Sequence, residues 1–112
     1  GDQLYTSSTD RNCLMHFSME PPALSFQLED RPALAAGNTV VAKPSEVTPY
    51  TAYLLSKICI DAGMPKGVLN IVHGLGPKAG AAIIEHNDIP MISFTGGTAT
   101  GEWIARTAAP KF

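Results

Sequence analysis

The sequence is short of charge. Lys, Arg, Asp and Glu make up 16% of its 112 residues, where a soluble domain carries about 25%. The net charge is −2, and the basic residues form no stripe. That balance argues against nucleic acid and acidic membrane surfaces as partners, and it leaves surface free to lie against another molecule. Cysteine is nearly absent: Cys13 and Cys59 stand far apart with no metal-ligand spacing, and His16, His73 and His86 are scattered. A disulfide scaffold and a metal centre are both excluded by that count. No apolar run approaches the roughly 20 residues that a membrane span needs. The opening "GDQLYTSSTD" has neither the basic start nor the apolar stretch of a secretory leader. A reducing, cytoplasmic setting is the expectation, with both thiols free.

What is present is ordinary globular material. Hydrophobic residues account for 45% of the chain, enough for one modest domain with its own core and not for two. The pattern divides near residue 32. Residues 1–31 carry polar clusters, a Pro-Pro pair and an acidic Glu29-Asp30 step. No period holds there for long, although "ALSFQL" could form a turn or a short strand. An irregular or poorly ordered segment is expected.

Residues 32–112 are regular. "NTVVAK" reads as a β-branched strand. Thr48 and Pro49 then suit the N-cap and first position of a helix reaching about Ala62, which Gly63 stops. Leu54, Leu55, Ile58 and Cys59 would form its buried side. "VLNIV" is a second strand, "HGLGPKAG" a glycine-rich turn leading into a short helix, and "MISF" a third strand. The last helix spans about 98–108, with Trp103 read as core packing. The expectation is an α/β fold, β-α-β-α-β-α with parallel strands, over about residues 37–109.

In open parallel sheets, ligands sit beyond the carboxyl ends of strands. Three loops fall at that edge: "KPSE", "HGLGPKAG" and "TGGTATG". A carboxylate such as Glu46 can accept from both hydroxyls of a ribose, and Lys43 can reach ribose or phosphate oxygens. Gly74, Gly76 and Gly80 relieve crowding where strand turns to helix, as Gly96 and Gly97 do one crossover later. A pyrophosphate could sit at such a helix N-terminus. The glycine spacing is G-x-G-x-x-x-G after the second strand, not the usual G-x-G-x-x-G after the first.

As an ordered set, "PALAAGNTVVAKPSE", "TPYTAYLLSKICIDAGMPKGVLNIVHGLGPKAG" and "ISFTGGTATGEWIARTAA" resemble the NAD(P)-dependent aldehyde dehydrogenases. The run from "GPKAG" to "SFTG" looks like the type acting on 2-aminomuconate or hydroxymuconate semialdehydes. The resemblance implies a partial Rossmann-like, three-layer dinucleotide-binding domain over residues 32–112. It assigns Lys43 and Glu46 to the adenosine ribose, with Ser45 lining the same pocket. Gly76 and Gly80 belong to the glycine-rich turn of that site. Phe94, Thr95 and Gly96 match the family's pyrophosphate-contacting F-T-G-S loop. Gly97 replaces its serine, which removes a hydroxyl contact worth about 1 kcal/mol. Glu46 favours NAD over NADP, because a carboxylate repels a 2′-phosphate.

Enzymes of this type attack the aldehyde with a cysteine thiolate, pass hydride to nicotinamide, and hydrolyse the thioester with a glutamate-activated water. The cysteine and the L-E-L-G-G-K glutamate strand are expected beyond residue 112, and neither Cys13 nor Cys59 stands in the nucleophile's context. The family's P-W-N-x-P turn, whose asparagine serves the oxyanion hole, falls on residues 18–22 and puts Glu20 at the asparagine position. The resemblance therefore implies a cofactor-binding fragment with no catalytic residue. It would bind nucleotide weakly and meet aldehyde only within a full-length parent. The alternative is a non-catalytic interaction protein that self-associates or pairs with a full-length relative.

Overall fold

The computed structural model describes the backbone of residues 2–7 and 13–18, and the whole of residues 31–47 and 49–111. Five strands are laid down: β1 (Asp2–Ser7), β2 (Cys13–Ser18), β3 (Thr39–Lys43), β4 (Leu69–Ile71) and β5 (Met91–Gly96). The helices are α1 (Arg31–Ala35), α2 (Tyr50–Asp61), α3 (Ala81–Glu85) and α4 (Thr98–Ala108), with a π-helical turn at Gly76–Gly80 and a 3₁₀ turn at Ala109–Lys111. The sheet order is β1-β5-β2-β3-β4. β2, β3, β4 and β5 run parallel, and β1 runs antiparallel along β5. The chain steps outward from β2 through β3 to β4, then returns to place β5 on the other side of β2. Strand order therefore reverses between β2 and β5, which is where open α/β sheets form a crevice.

Two strands lie inside the segment expected to be irregular. "DQLYTS" and "CLMHFS" mix polar and apolar residues without a clean period. Their strand state follows from pairing with neighbours more than from intrinsic preference. β2 pairs on both flanks, Leu14 with Val40 on one side and with Met91 on the other. The sheet consequently has five strands, one of them antiparallel, in place of three parallel ones. "ALSFQL" and Glu20 lie outside the described residues.

Register explains the layers. Met15 and Phe17 stand abreast of Ile92 and Phe94, whereas Leu14 and His16 stand abreast of Val40 and Ala42. Abreast residues share a face and successive residues alternate, so β5 and β3 send their buried side chains to opposite faces. One core holds Ile92 and Phe94 with Ile84, Ile89, Ile104 and Ala108, under α3 and α4. The other holds Val40 and Ala42 with Ala52, backed by Leu34, Leu55, Leu69 and Ile71, under α1 and α2. Burying each such large side chain contributes about 1.5–3 kcal/mol.

α2 departs from its sequence reading at both faces. Thr48 lies outside the described residues, and Pro49 occupies the cap position in helical conformation without a side-chain hydrogen bond. At the other end the expected stop holds: Gly63 has φ 82°, its N–H donates to Ile60 O, and Met64 N–H donates to Cys59 O. That pair of bonds is the Schellman arrangement, which needs the left-handed residue. Ala52 is fully buried and Leu55 and Cys59 half-buried, but Leu54 and Ile58 are 39% and 61% exposed. Two apolar stripes compete on this helix. The one carrying the small Ala52 wins, because it allows the closest approach to β3.

The π-helical turn gathers three N–H groups, of Lys78, Ala79 and Gly80, on the single carbonyl of Leu75. Just before it, Gly74 has φ 152°, and a Cβ placed there would lie 2.7 Å from the Ala79 Cβ. Gly74→Ala is therefore expected to destabilise the fold by about 2 kcal/mol. Gly63→Ala, which meets no neighbour within 4 Å, should cost about 1 kcal/mol from its backbone angle alone. Urea unfolding followed by circular dichroism would rank the two.

Candidate functional site

The site begins with a charge. β3 ends at Lys43, whose side chain is 0% exposed. An ammonium there must be paired. Its Nζ donates to Pro44 O at 3.0 Å and to Glu46 Oε2 at 3.3 Å. The intervening Ser45 is buried, and its Oγ accepts the Val47 N–H at 3.2 Å, which curls the chain into a tight turn. Glu46, with its side chain 40% exposed, is thereby held at the surface. Its carboxyl sits below its ordinary 4.5, foremost through the hydrogen bond from its own backbone N–H. Desolvation opposes this, and the Lys43 ammonium and the Gly76 N–H add to it. Glu46 thus bridges the turn after β3 and the start of the π-helical turn, where a carboxylate is favoured.

A cavity of about 530 Å³ opens beside this bridge. One wall is the face of the π-helical turn and α3 made by Gly76, Pro77, Gly80, Ala81 and Ile84. The other is the face of α4 made by Ala99, Thr100, Trp103 and Ile104. Glu46 completes the lining and, among the described residues, is its one ionisable group.

The structure therefore brings together Glu46, Gly76 and Gly80, with Lys43 and Ser45 directly behind Glu46. Phe94, Thr95 and Gly96 close β5 and are buried. The Phe94 ring belongs to the core under α4, with Cε1 3.6 Å from where a Cβ on Gly101 would stand; its part is to seat that helix. Gly97 is the exposed, extended N-cap residue of α4 and accepts the Gly101 N–H at 3.0 Å. Lys43 and Phe94 both stand abreast of Phe17, so their backbones lie roughly 10 Å apart on one rim.

Sequence reasoning missed the α4 wall. Trp103, expected in the core, is 43% exposed and lines the cavity. The signal is present in the i, i+1, i+4, i+5 spacing of residues 99, 100, 103 and 104, which shares one helical face. Among the described residues no cluster of His, Cys, Asp and Glu could hold a metal ion, and no helix is long and apolar enough to cross a membrane.

A family model described as "Aldehyde dehydrogenase family" matches residues 20–112; the chain belongs to that family. It is 56% identical over 79 residues to 2-aminomuconic semialdehyde dehydrogenase of Danio rerio, covering 70% of this chain and 16% of that protein. It is 55% identical over 89 residues to 2-hydroxymuconic semialdehyde dehydrogenase of Pseudomonas sp. (strain CF600), covering 79% of this chain and 18% of the other. Among solved structures, HpcC from Thermus thermophilus matches with a TM-score of 0.82 and 40% identity over 98% of this chain and 22% of that one. The NAD+ complex of an aldehyde dehydrogenase from Bacillus cereus matches with a TM-score of 0.79 and 36% identity, over 97% and 22%. The chain thus spans about a fifth of the length of its relatives.

The Glu46 bridge makes stability depend on acid. A carboxyl lowered by folding contributes stability that is present above its ordinary 4.5 and is lost as pH falls through the lowered value. Screening at this half-exposed position keeps the contribution small. Urea midpoints measured from about pH 6 down to pH 3 should fall more steeply for the wild type than for Glu46→Gln. Parallel curves would remove Glu46 from the rim's acid response.

Proposed function

We propose that residues 32–112, with β1 and β2 completing the sheet, form part of a Rossmann-like dinucleotide-binding domain that holds the adenosine end of NAD. The observation that carries this reading is the pinned Glu46 carboxylate beside an apolar cavity of about 530 Å³. A carboxylate fixed by Lys43 and the Gly76 N–H cannot swing away. Its remaining lone pairs therefore accept the two ribose hydroxyls in a set geometry. Pro77, Ala81 and Ile84 on one side and Trp103 and Ile104 on the other offer an apolar berth for the base. The diphosphate then runs toward Thr95, Gly96 and the start of α4, where Gly97 presents backbone without a side chain. Glu46 faces the 2′ position, so NAD is preferred to NADP.

NAD, when bound, accepts hydride from an aldehyde-derived adduct in the parent reaction, the oxidation of an aldehyde to a carboxylate. This chain's residues anchor the far end of the cofactor. They supply no nucleophile and no general base, since Cys59 sits half-buried on α2, a helix that contributes nothing to the cavity lining. The 2-aminomuconic and 2-hydroxymuconic relatives support a semialdehyde as the parent's substrate, and the cytoplasm as its setting follows from the free thiols.

Calorimetric titration tests the site. NAD should bind the chain weakly and more tightly than NADP. Glu46→Gln should weaken NAD by about tenfold and narrow its advantage over NADP. Equal affinities for both nucleotides, unchanged in the variant, would overturn the assignment of Glu46.

A second reading is favoured by α2. Tyr50, Tyr53, Leu54 and Ile58 form an exposed apolar face at helical spacing, with the two tyrosine rings 6.3 Å apart. A contiguous face of this kind suits pairing with a second copy of itself. Sedimentation should then report a dimer that Ile58→Glu converts to monomer while NAD binding is retained. A monomeric wild type would dismiss the pairing.

A further inference from the structure

Trp103 is the protein's single tryptophan and, among the described residues, the one aromatic side chain lining the cavity. A tryptophan with 43% of its surface exposed has not been consumed by core packing, and its neighbour Ile104, at 1%, does that work for α4. Around it the lining is small: Ala99 on its own helix, and Gly80 and Ala81 on the opposite wall. One broad flat ring facing small residues leaves a slot suited to a planar heterocycle, and the slot opens beside the carboxylate that would take the sugar.

We propose that Trp103 is a specificity-determining residue of this site, its indole stacking on the purine of the nucleotide whose ribose hydroxyls Glu46 accepts. The proposal rests on the nucleotide reading above and deepens it. An aliphatic wall would hold a base through burial alone. An indole adds offset overlap of two π systems, so it rewards an aromatic base over the sugar phosphate that carries it.

Because no other tryptophan contributes to emission, the test is direct. The full chain is titrated with AMP and with ribose 5-phosphate, reading heat by calorimetry and Trp103 fluorescence in parallel. AMP should bind and quench the emission, and ribose 5-phosphate should leave it unchanged. Trp103→Leu should bind AMP about tenfold more weakly, and Trp103→Phe should recover most of that loss. Binding heat from AMP without any change in emission would overturn the proposal, as would equal AMP affinity in Trp103→Leu, and both results leave the nucleotide reading standing. Absence of heat with both AMP and NAD would defeat that reading and this one together. Should Trp103→Leu fail to fold by circular dichroism, wild-type emission and the Phe variant decide the matter.

Discussion

The rim of this sheet is organised by one buried ammonium. Lys43 ends β3 with its side chain wholly out of water, and a charge so placed costs several kcal/mol unless partners surround it. The Pro44 carbonyl and the Glu46 carboxylate meet that demand. Meeting it forces the chain to turn within three residues and fixes a carboxylate over the next loop. Glu46 then receives the Gly76 N–H, so the turn after β3 and the turn after β4 become a single unit. The cavity exists because these two turns are tied and α4 leans against the second.

The two-sidedness of the sheet follows from equally local causes. β2 is paired on both flanks, and the parity of its registers sends Val40 and Ala42 to one face and Ile92 and Phe94 to the other. α1 and α2 cover the first set, and α3 and α4 the second. Phe94 beneath Gly101 sets how closely α4 can settle. At the far ends of α3 and α4, the Lys111 ammonium reaches the carbonyls of Ile84 and His86. A cation at a helix C-terminus is favoured there by the carbonyls it caps.

Much of this was legible in the sequence where a segment carries its own signal. The β-branched run at 39–43, the Gly63 stop and the helix at 98–108 each announce themselves locally, and their bounds agree with the structure to within a residue or two. β1 and β2 were not legible, because "DQLYTS" and "CLMHFS" become strands only through neighbours that are distant in sequence. The buried side of α2 was misjudged because Leu54 and Ile58 continue a helical stripe as well as Ala52, Leu55 and Cys59 do. Only the position of β3 breaks the tie. At the site, Lys43, Glu46, Gly76 and Gly80 could be named from loop chemistry. The Trp103 wall could not, since an aromatic residue on an amphipathic helix is first of all a core residue.

β1 carries a practical consequence. Running antiparallel along β5, it sets Asp2 abreast of Gly96, so the polypeptide enters at the same rim as the cavity. α4, following a parallel strand, runs back toward the opposite rim and ends there, near Lys111. A purification handle or fluorescent fusion joined ahead of residue 1 would emerge beside the glycine loop and crowd any small molecule seeking entry. One joined after residue 112 would hang from the opposite side of the sheet.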